Sequence, residues 1–194
     1  MILTHRAPTS LRAVEQIAEA ARAFGLQFAG TLQSGAVFSP CGQYRYLLWR
    51  DARPDEAFTA FAMLNPSTAD ASADDATIRR CRSFARRVPG CDALLVWNLF
   101  AFRATRPADL KRAADPVGPL NDAVIEFAGV LAGQTIAAWG THGGYLDRDR
   151  AVLCRCIAAG IDLHALDLSL AGHPKHPLYL QNNVRSQLWK EFGS

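Results

Sequence analysis

Ala57-Phe58-Thr59-Ala60-Phe61-Ala62-Met63-Leu64, followed at once by Asn65-Pro66-Ser67-Thr68-Ala69-Asp70, is the stretch from which the fold can be read. Its first part is an apolar run long enough for a buried strand and too short for a membrane span. The end is abrupt. Pro66 has no N–H to give a ladder and biases Asn65 toward an extended backbone, so the Asn65 amide is expected at the carboxyl edge of a sheet. Asn-Pro-Ser is equally ordinary turn chemistry, and a purely structural reading stands beside the functional one.

The next segment reads as a helix capped by Asp74 or Asp75, with Ile78, Cys81, Ala85 and Val88 on one face. Arg79, Arg82 and Arg86 line another face, and Arg80 and Arg87 add to the positive field. Strand, polar turn and helix amino terminus together suit an anion pocket. A solvated arginine face is the competing reading.

Outward from this unit the chain alternates. A helix is predicted over 11–24, an aromatic strand over Tyr44–Arg50 paired with the Ala57–Leu64 strand, and a third strand over Ala93–Phe100. A helix follows Pro119; Gln134–Trp139 and Ile161–Ala165 read as strands separated by a helix over 147–159, and a last helix spans 182–192. No repeat or flexible linker interrupts this order. The fold class is α/β: a single-domain layered sandwich with a central, mostly parallel sheet flanked by helices. Residues 1–33 form an N-terminal helical extension packed on an α/β domain of residues 34–194.

With 194 residues, the chain buries roughly 70% of its extended-chain surface in one domain. Apolar residues make up 49% of the sequence, without a run of membrane length. The start lacks the continuous apolar core of a secretory signal, so no membrane partner and a cytoplasmic location are expected. Five scattered cysteines are expected to be free. A net charge of +3 does not by itself predict nucleic-acid binding. The clustering of arginines in the first two thirds of the chain does suit phosphate, on a nucleic acid or a nucleotide.

Several polar groups fall at strand ends, where open α/β sheets bind ligands. Asn98 ends an apolar strand, as a ligand-binding group or a satisfied core amide. Arg103 and Arg106 follow it as candidate phosphate ligands, although Arg106 before Pro107 also fits a loop cap. Asn121-Asp122 opens the next helix. Trp139-Gly140-Thr141-His142-Gly143-Gly144 ends a strand in a turn without phosphate-loop spacing, and His142 either orients a base or phosphate or stands free in a loop. The densest cluster is Gly172-His173-Pro174-Lys175-His176-Pro177-Leu178-Tyr179. Its prolines stiffen the backbone around His176, and Lys175 adds a cation, which suits a histidine that donates to a leaving group. His173 and His176 are too few for a metal site, and no metal or other cofactor is expected.

These motifs resemble the bacterial and phage family known as domain of unknown function 1643. The likeness rests on Tyr44-Arg45-Tyr46, Leu64 to Ala69, Asp75 to Arg80, Asn98-Leu99-Phe100 with Arg103-Ala104-Thr105, Asp115 to Pro119 with Asn121-Asp122, Trp139-Gly140, and Gly172 to Tyr179. More distantly, Leu64-Asn65-Pro66-Ser67 with a late His176-Pro177-Leu178 is similar to the uracil-DNA glycosylase superfamily. That resemblance implies a uracil-DNA glycosylase-like fold. In it Asn65 positions the attacking water, His176 stabilises the departing base, Asn98 reads the base edge, and Ser67 with the arginine-rich helix, Arg79 and Arg82 included, and with His173 and Lys175, contacts base or phosphate. The sequence departs from that superfamily in lacking a clear water-activating aspartate, since Asp70 lies beyond the motif, and in lacking an evident apolar wedge.

The function expected is hydrolysis of the N-glycosidic bond of a base in DNA or a nucleotide. The alternatives are a non-catalytic nucleic-acid or nucleotide binding protein and a structural protein. Oligomeric state is not legible from one chain.

Overall fold

A computed structural model describes residues 7–67 and 69–189. Thr9 caps α1 (Ser10–Ala23) by accepting from the Arg12 N–H, and Ala13, Val14, Ile17 and Ala21 turn inward. The Ser10 hydroxyl donates to the Arg53 carbonyl at 3.1 Å and accepts from the Arg53 N–H at 2.7 Å, which ties the helix to the loop after the third strand.

Next comes a hairpin that the sequence reading did not anticipate, β1 (Gln27–Gly30) and β2 (Gly35–Phe38). Each strand has four residues and a glycine at the turn, too little periodicity to stand out. Gly35 is required there because a Cβ would meet the Trp49 ring at 2.4 Å.

The remaining strands are β3 (Arg45–Arg50), β4 (Phe58–Met63), β5 (Ala93–Asn98), β6 (Ala132–Ala137), β7 (Leu163–Ala165) and β8 (Gln187–Leu188), in the sheet order β1-β2-β3-β5-β4-β6-β7-β8. Two expectations are corrected here. The aromatic strand β3 does not pair with β4; it pairs antiparallel with β2 and β5, because β5 returns between them. The sheet is mixed rather than mostly parallel: β4–β5, β4–β6 and β6–β7 are parallel, and the other four pairings are antiparallel. A third correction concerns the carboxyl end. Residues 182–189 form no helix; Asn182 and Asn183 turn the chain, and Gln187–Leu188 pair with the otherwise free edge of β7. Trp189 then packs edge-on against Trp139 at 5.4 Å. The rest of that expected helix, residues 190–192, lies outside the described residues.

Helices cover both faces of the sheet. On one side α1, α4 (Asn121–Leu131) and α5 (Arg148–Ala158) pack on Phe58, Ala60, Ala62, Leu95 and Trp97. On the other, α2 (Ala76–Ala85) packs Ile78, Cys81 and Phe84 on Phe61, Met63, Leu94 and Val96. The alternation along β4 and β5 is that of strands buried on both faces. A short α3 (Pro107–Arg112) precedes α4. The molecule is thus a single-domain α/β fold with a mixed sheet flanked by helices. Among the described residues no helix is long and apolar enough to cross a membrane.

The topology fixes where a ligand can go. From β4 the chain passes through α2 to β5 on one side, then through α4 to β6 on the other. Such a reversal leaves a crevice beyond the carboxyl ends of the strands.

Candidate functional site

A cavity of about 580 Å³ occupies that crevice, within the range of small-molecule sites. It collects the ends of β4, β5 and β6, the amino terminus of α2 and the loop after β7. Asn65, Ser67, Asn98, His142, His173, Lys175 and His176, all singled out from the sequence, line it together.

Asn65 stands two residues beyond β4. Its Nδ2 donates to the Ala104 carbonyl at 2.6 Å and to the Pro66 carbonyl at 3.0 Å. The amide is thereby locked, with its oxygen left as an acceptor on the cavity wall.

Asn98 is the last residue of β5 and is 2% exposed. Its backbone is pinned: Asn121 Nδ2 donates to the carbonyls of Asn98 at 3.0 Å and Leu99 at 2.9 Å, and Arg148 Nε donates to Leu99 at 2.8 Å. Asn121-Asp122 therefore serves the architecture, Asp122 pairing with Arg148 and Arg155. The Asn98 side chain is different. Neither Nδ2 nor Oδ1 has a hydrogen-bond partner among the described residues, so the satisfied core amide is not what the structure contains.

His176 opens the short turn Pro177–Tyr179, and its Nδ1 accepts from the Leu178 N–H at 3.3 Å. A neutral ring bonded in this way carries its proton on Nε2. Burial lowers the His176 pKa, with the charge of Asp75 opposing, so the ring is neutral at pH 7. The loop is held from two sides. Arg80 lies over the Phe84 ring and donates to the carbonyls of Pro177 and Leu180, while Pro174 accepts from the Gly140 N–H at 2.9 Å. Lys175 on the wall is paired with Asp167 at 2.7 Å. His142 is exposed at the mouth, and Gly143 beside it is packed on Trp139, where a Cβ would lie 2.3 Å from the indole.

Apart from Asp75, the other predicted residues lie outside the cavity. Of the two candidate caps, Asp75 accepts from the Ile78 N–H at 2.8 Å, whereas Asp74 pairs with Arg50 at 2.6 Å and Arg82 at 2.7 Å. Arg82 also binds Asp51 at 2.8 Å, and Arg79 donates to the Asp74 carbonyl at 2.6 Å. With Arg86 and Arg87 they line a separate shallow cleft. Arg103 donates to the Gly42 carbonyl at 3.1 Å and lies over Phe38, and Arg106 is exposed beside Asp109 at 3.1 Å. Asp70 spends its carboxylate on the Ser72 and Ala73 N–H groups, both at 2.8 Å, which hold its pKa low.

Two charged residues that line the cavity, Asp75 and Arg45, were not singled out as site residues. Asp75 lines it while capping α2, and supplies a carboxylate where the sequence offered no obvious one. Arg45 arrives through a β-bulge. Val37 pairs with Leu47 but Phe38 with Arg45, so β3 carries an extra residue at Tyr46. Simple alternation from Leu48 and Arg50 would send Arg45 to the α1 side; instead Tyr46 lines an apolar groove there and Arg45 enters the cavity. In the sequence it was marked by its place in the Tyr44-Arg45-Tyr46 motif and as one of the clustered arginines of the first two thirds of the chain.

Among the described residues no group of three or more His, Cys, Asp or Glu is placed to hold a metal ion, and all five cysteines are free. The family model described as protein of unknown function (DUF1643) matches residues 45–178. Neither the curated proteins nor the solved structures yield a match. The chain belongs to the DUF1643 family.

Proposed function

We propose that this member of the DUF1643 family hydrolyses the N-glycosidic bond joining a nucleobase to its sugar, in DNA or in a nucleotide. The observation that carries the reading is Asn98, a buried amide on the cavity wall with both polar atoms unpartnered. Leaving such groups unmade costs about 1–3 kcal/mol each, which a ligand bearing an adjacent donor and acceptor would recover. A nucleobase edge is such a ligand.

The neighbouring groups suit the chemistry. Asn65 Oδ1 accepts from a water and holds it toward C1′ of the sugar; the water oxygen bonds to C1′ as the C1′–N bond breaks, with its electron pair leaving on the base. The His176 Nε2–H donates to the negative charge that develops there. Asp75 faces the positive charge growing on the sugar and takes up the water proton. A site beyond the sheet edge requires an unstacked base, in a single strand, flipped from a duplex, or free. The likeness to the uracil-DNA glycosylase superfamily in Leu64 to Ser67 and His176 to Leu178 supports the same assignment.

A second reading, binding without hydrolysis, is favoured by the cleft of Arg79, Arg82, Arg86 and Arg87 on α2. Base release measured by mass spectrometry separates the two, using single-stranded DNA, duplex DNA, RNA and nucleotide pools with varied modified bases. Hydrolysis predicts release by wild type and none by folded Asn65→Ala. No release across the panel, with salt-sensitive binding that weakens in Arg79→Ala, assigns the second reading.

A further inference from the structure

Among the described residues three arginines are nine-tenths buried or more: Arg45 and Arg50 on β3, and Arg148 at the start of α5. Two are neutralised within the protein. Arg50 binds the Asp74 carboxylate at 2.6 Å and the Gly35, Trp49 and Asp70 carbonyls, and Arg148 binds the Asp122 carboxylate. Arg45 has no carboxylate within 4.0 Å among the described residues; its Nη1 donates to the Ala69 carbonyl at 2.6 Å and its Nε has no partner. Burial lowers its pKa to about 10, with Asp75 and Asp70 acting only at longer range, so it stays charged at neutral pH. A buried, unpaired cation is costly, and the two paired arginines show how this fold otherwise avoids one.

We infer that Arg45 binds the terminal phosphate of a free nucleotide, so that the substrate is a mononucleotide and not a base within a strand. The inference rests on the reading of the cavity as a nucleobase site. Arg45 on β3 and Asn98 on the neighbouring β5 both line the cavity, so a single ligand lodged there meets the guanidinium and the amide together. The planar guanidinium matches phosphate oxygens. Arg45 is only 3% exposed, with its Nη1 on the Ala69 carbonyl, a setting that a chain end reaches but a diester continuing in both directions does not. The other cation on the cavity wall, Lys175, is already paired with Asp167 at 2.7 Å.

Calorimetric titration of the full chain tests this with adenosine, guanosine, cytidine, uridine and thymidine, their 5′-monophosphates, inorganic phosphate, and single-stranded oligonucleotides. The expected result is at least one monophosphate binding about tenfold or more tighter than its nucleoside, competed by inorganic phosphate. In Arg45→Met that advantage disappears while nucleoside affinity is kept. If Arg45→Met fails to fold, the wild-type ratio and the phosphate competition decide. Equal affinity for nucleoside and monophosphate, binding of oligonucleotides alone, or no binding by the panel overturns the inference. Binding through Arg45 without base release removes the hydrolytic reading and leaves this one standing; base release from strands alone does the reverse.

Discussion

His176 is held neutral by burial and by the N–H that its Nδ1 accepts, and this has a consequence for stability. The folded chain holds that proton less tightly than the unfolded chain, whose pKa is 6.5, so acid favours unfolding through this group. Its contribution is complete above pH 6.5 and is lost as pH falls through the lower, folded value. Thermal melts across pH 4–8 should therefore show a steeper acid decline for wild type than for His176→Asn, whose amide oxygen still accepts from Leu178; parallel curves would contradict this. Asn65, Asn98 and His176 were legible because each stands at a strand end or between prolines, where sequence dictates backbone. Arg45 was not legible as a cavity residue, because one extra residue at Tyr46 inverts the side to which β3 sends it.

At the scale of elements, α2 combines architecture and chemistry in one residue. Asp75 caps the helix and faces the cavity, and two substitutions separate these roles. Asp75→Ala should cost about 1 kcal/mol of stability through the lost cap. Asp75→Asn, which keeps a capping oxygen, should melt close to wild type yet release base more slowly; full activity in Asp75→Asn would remove the carboxylate from the chemistry. Denaturant unfolding and base release measure the two effects. The arginines of α2 were visible as a cluster, but sequence could not show that Asp51 and Asp74 would claim Arg82, nor that Arg80 would reach the His176 loop. The short strands β1 and β2 escaped notice because four residues each carry too little periodicity, and β8 because its two residues find their partner, β7, only in the folded chain.

For the whole molecule, the buried strands β4 and β5 between two helical layers were readable as apolar runs, and with them the crevice that holds the site. The order of the strands was not, because antiparallel β3 could join either neighbour until β5 took its place beside it. Phe61, fully buried at the centre of β4, carries this architecture: Phe61→Ala should lose about 3–5 kcal/mol in denaturant unfolding, far more than any single change on the cavity wall. A loss below about 1 kcal/mol would contradict the two-layer core described for it. Function and stability should part company at Asn98. Because its amide has no partner among the described residues, Asn98→Leu preserves volume and removes an unmet polar group. The decisive measurement is base release by wild type and Asn98→Leu, with melting temperatures taken alongside. The account predicts a variant at least as stable as wild type whose release falls about a hundredfold or more; release at the wild-type rate from a folded Asn98→Leu protein would contradict it.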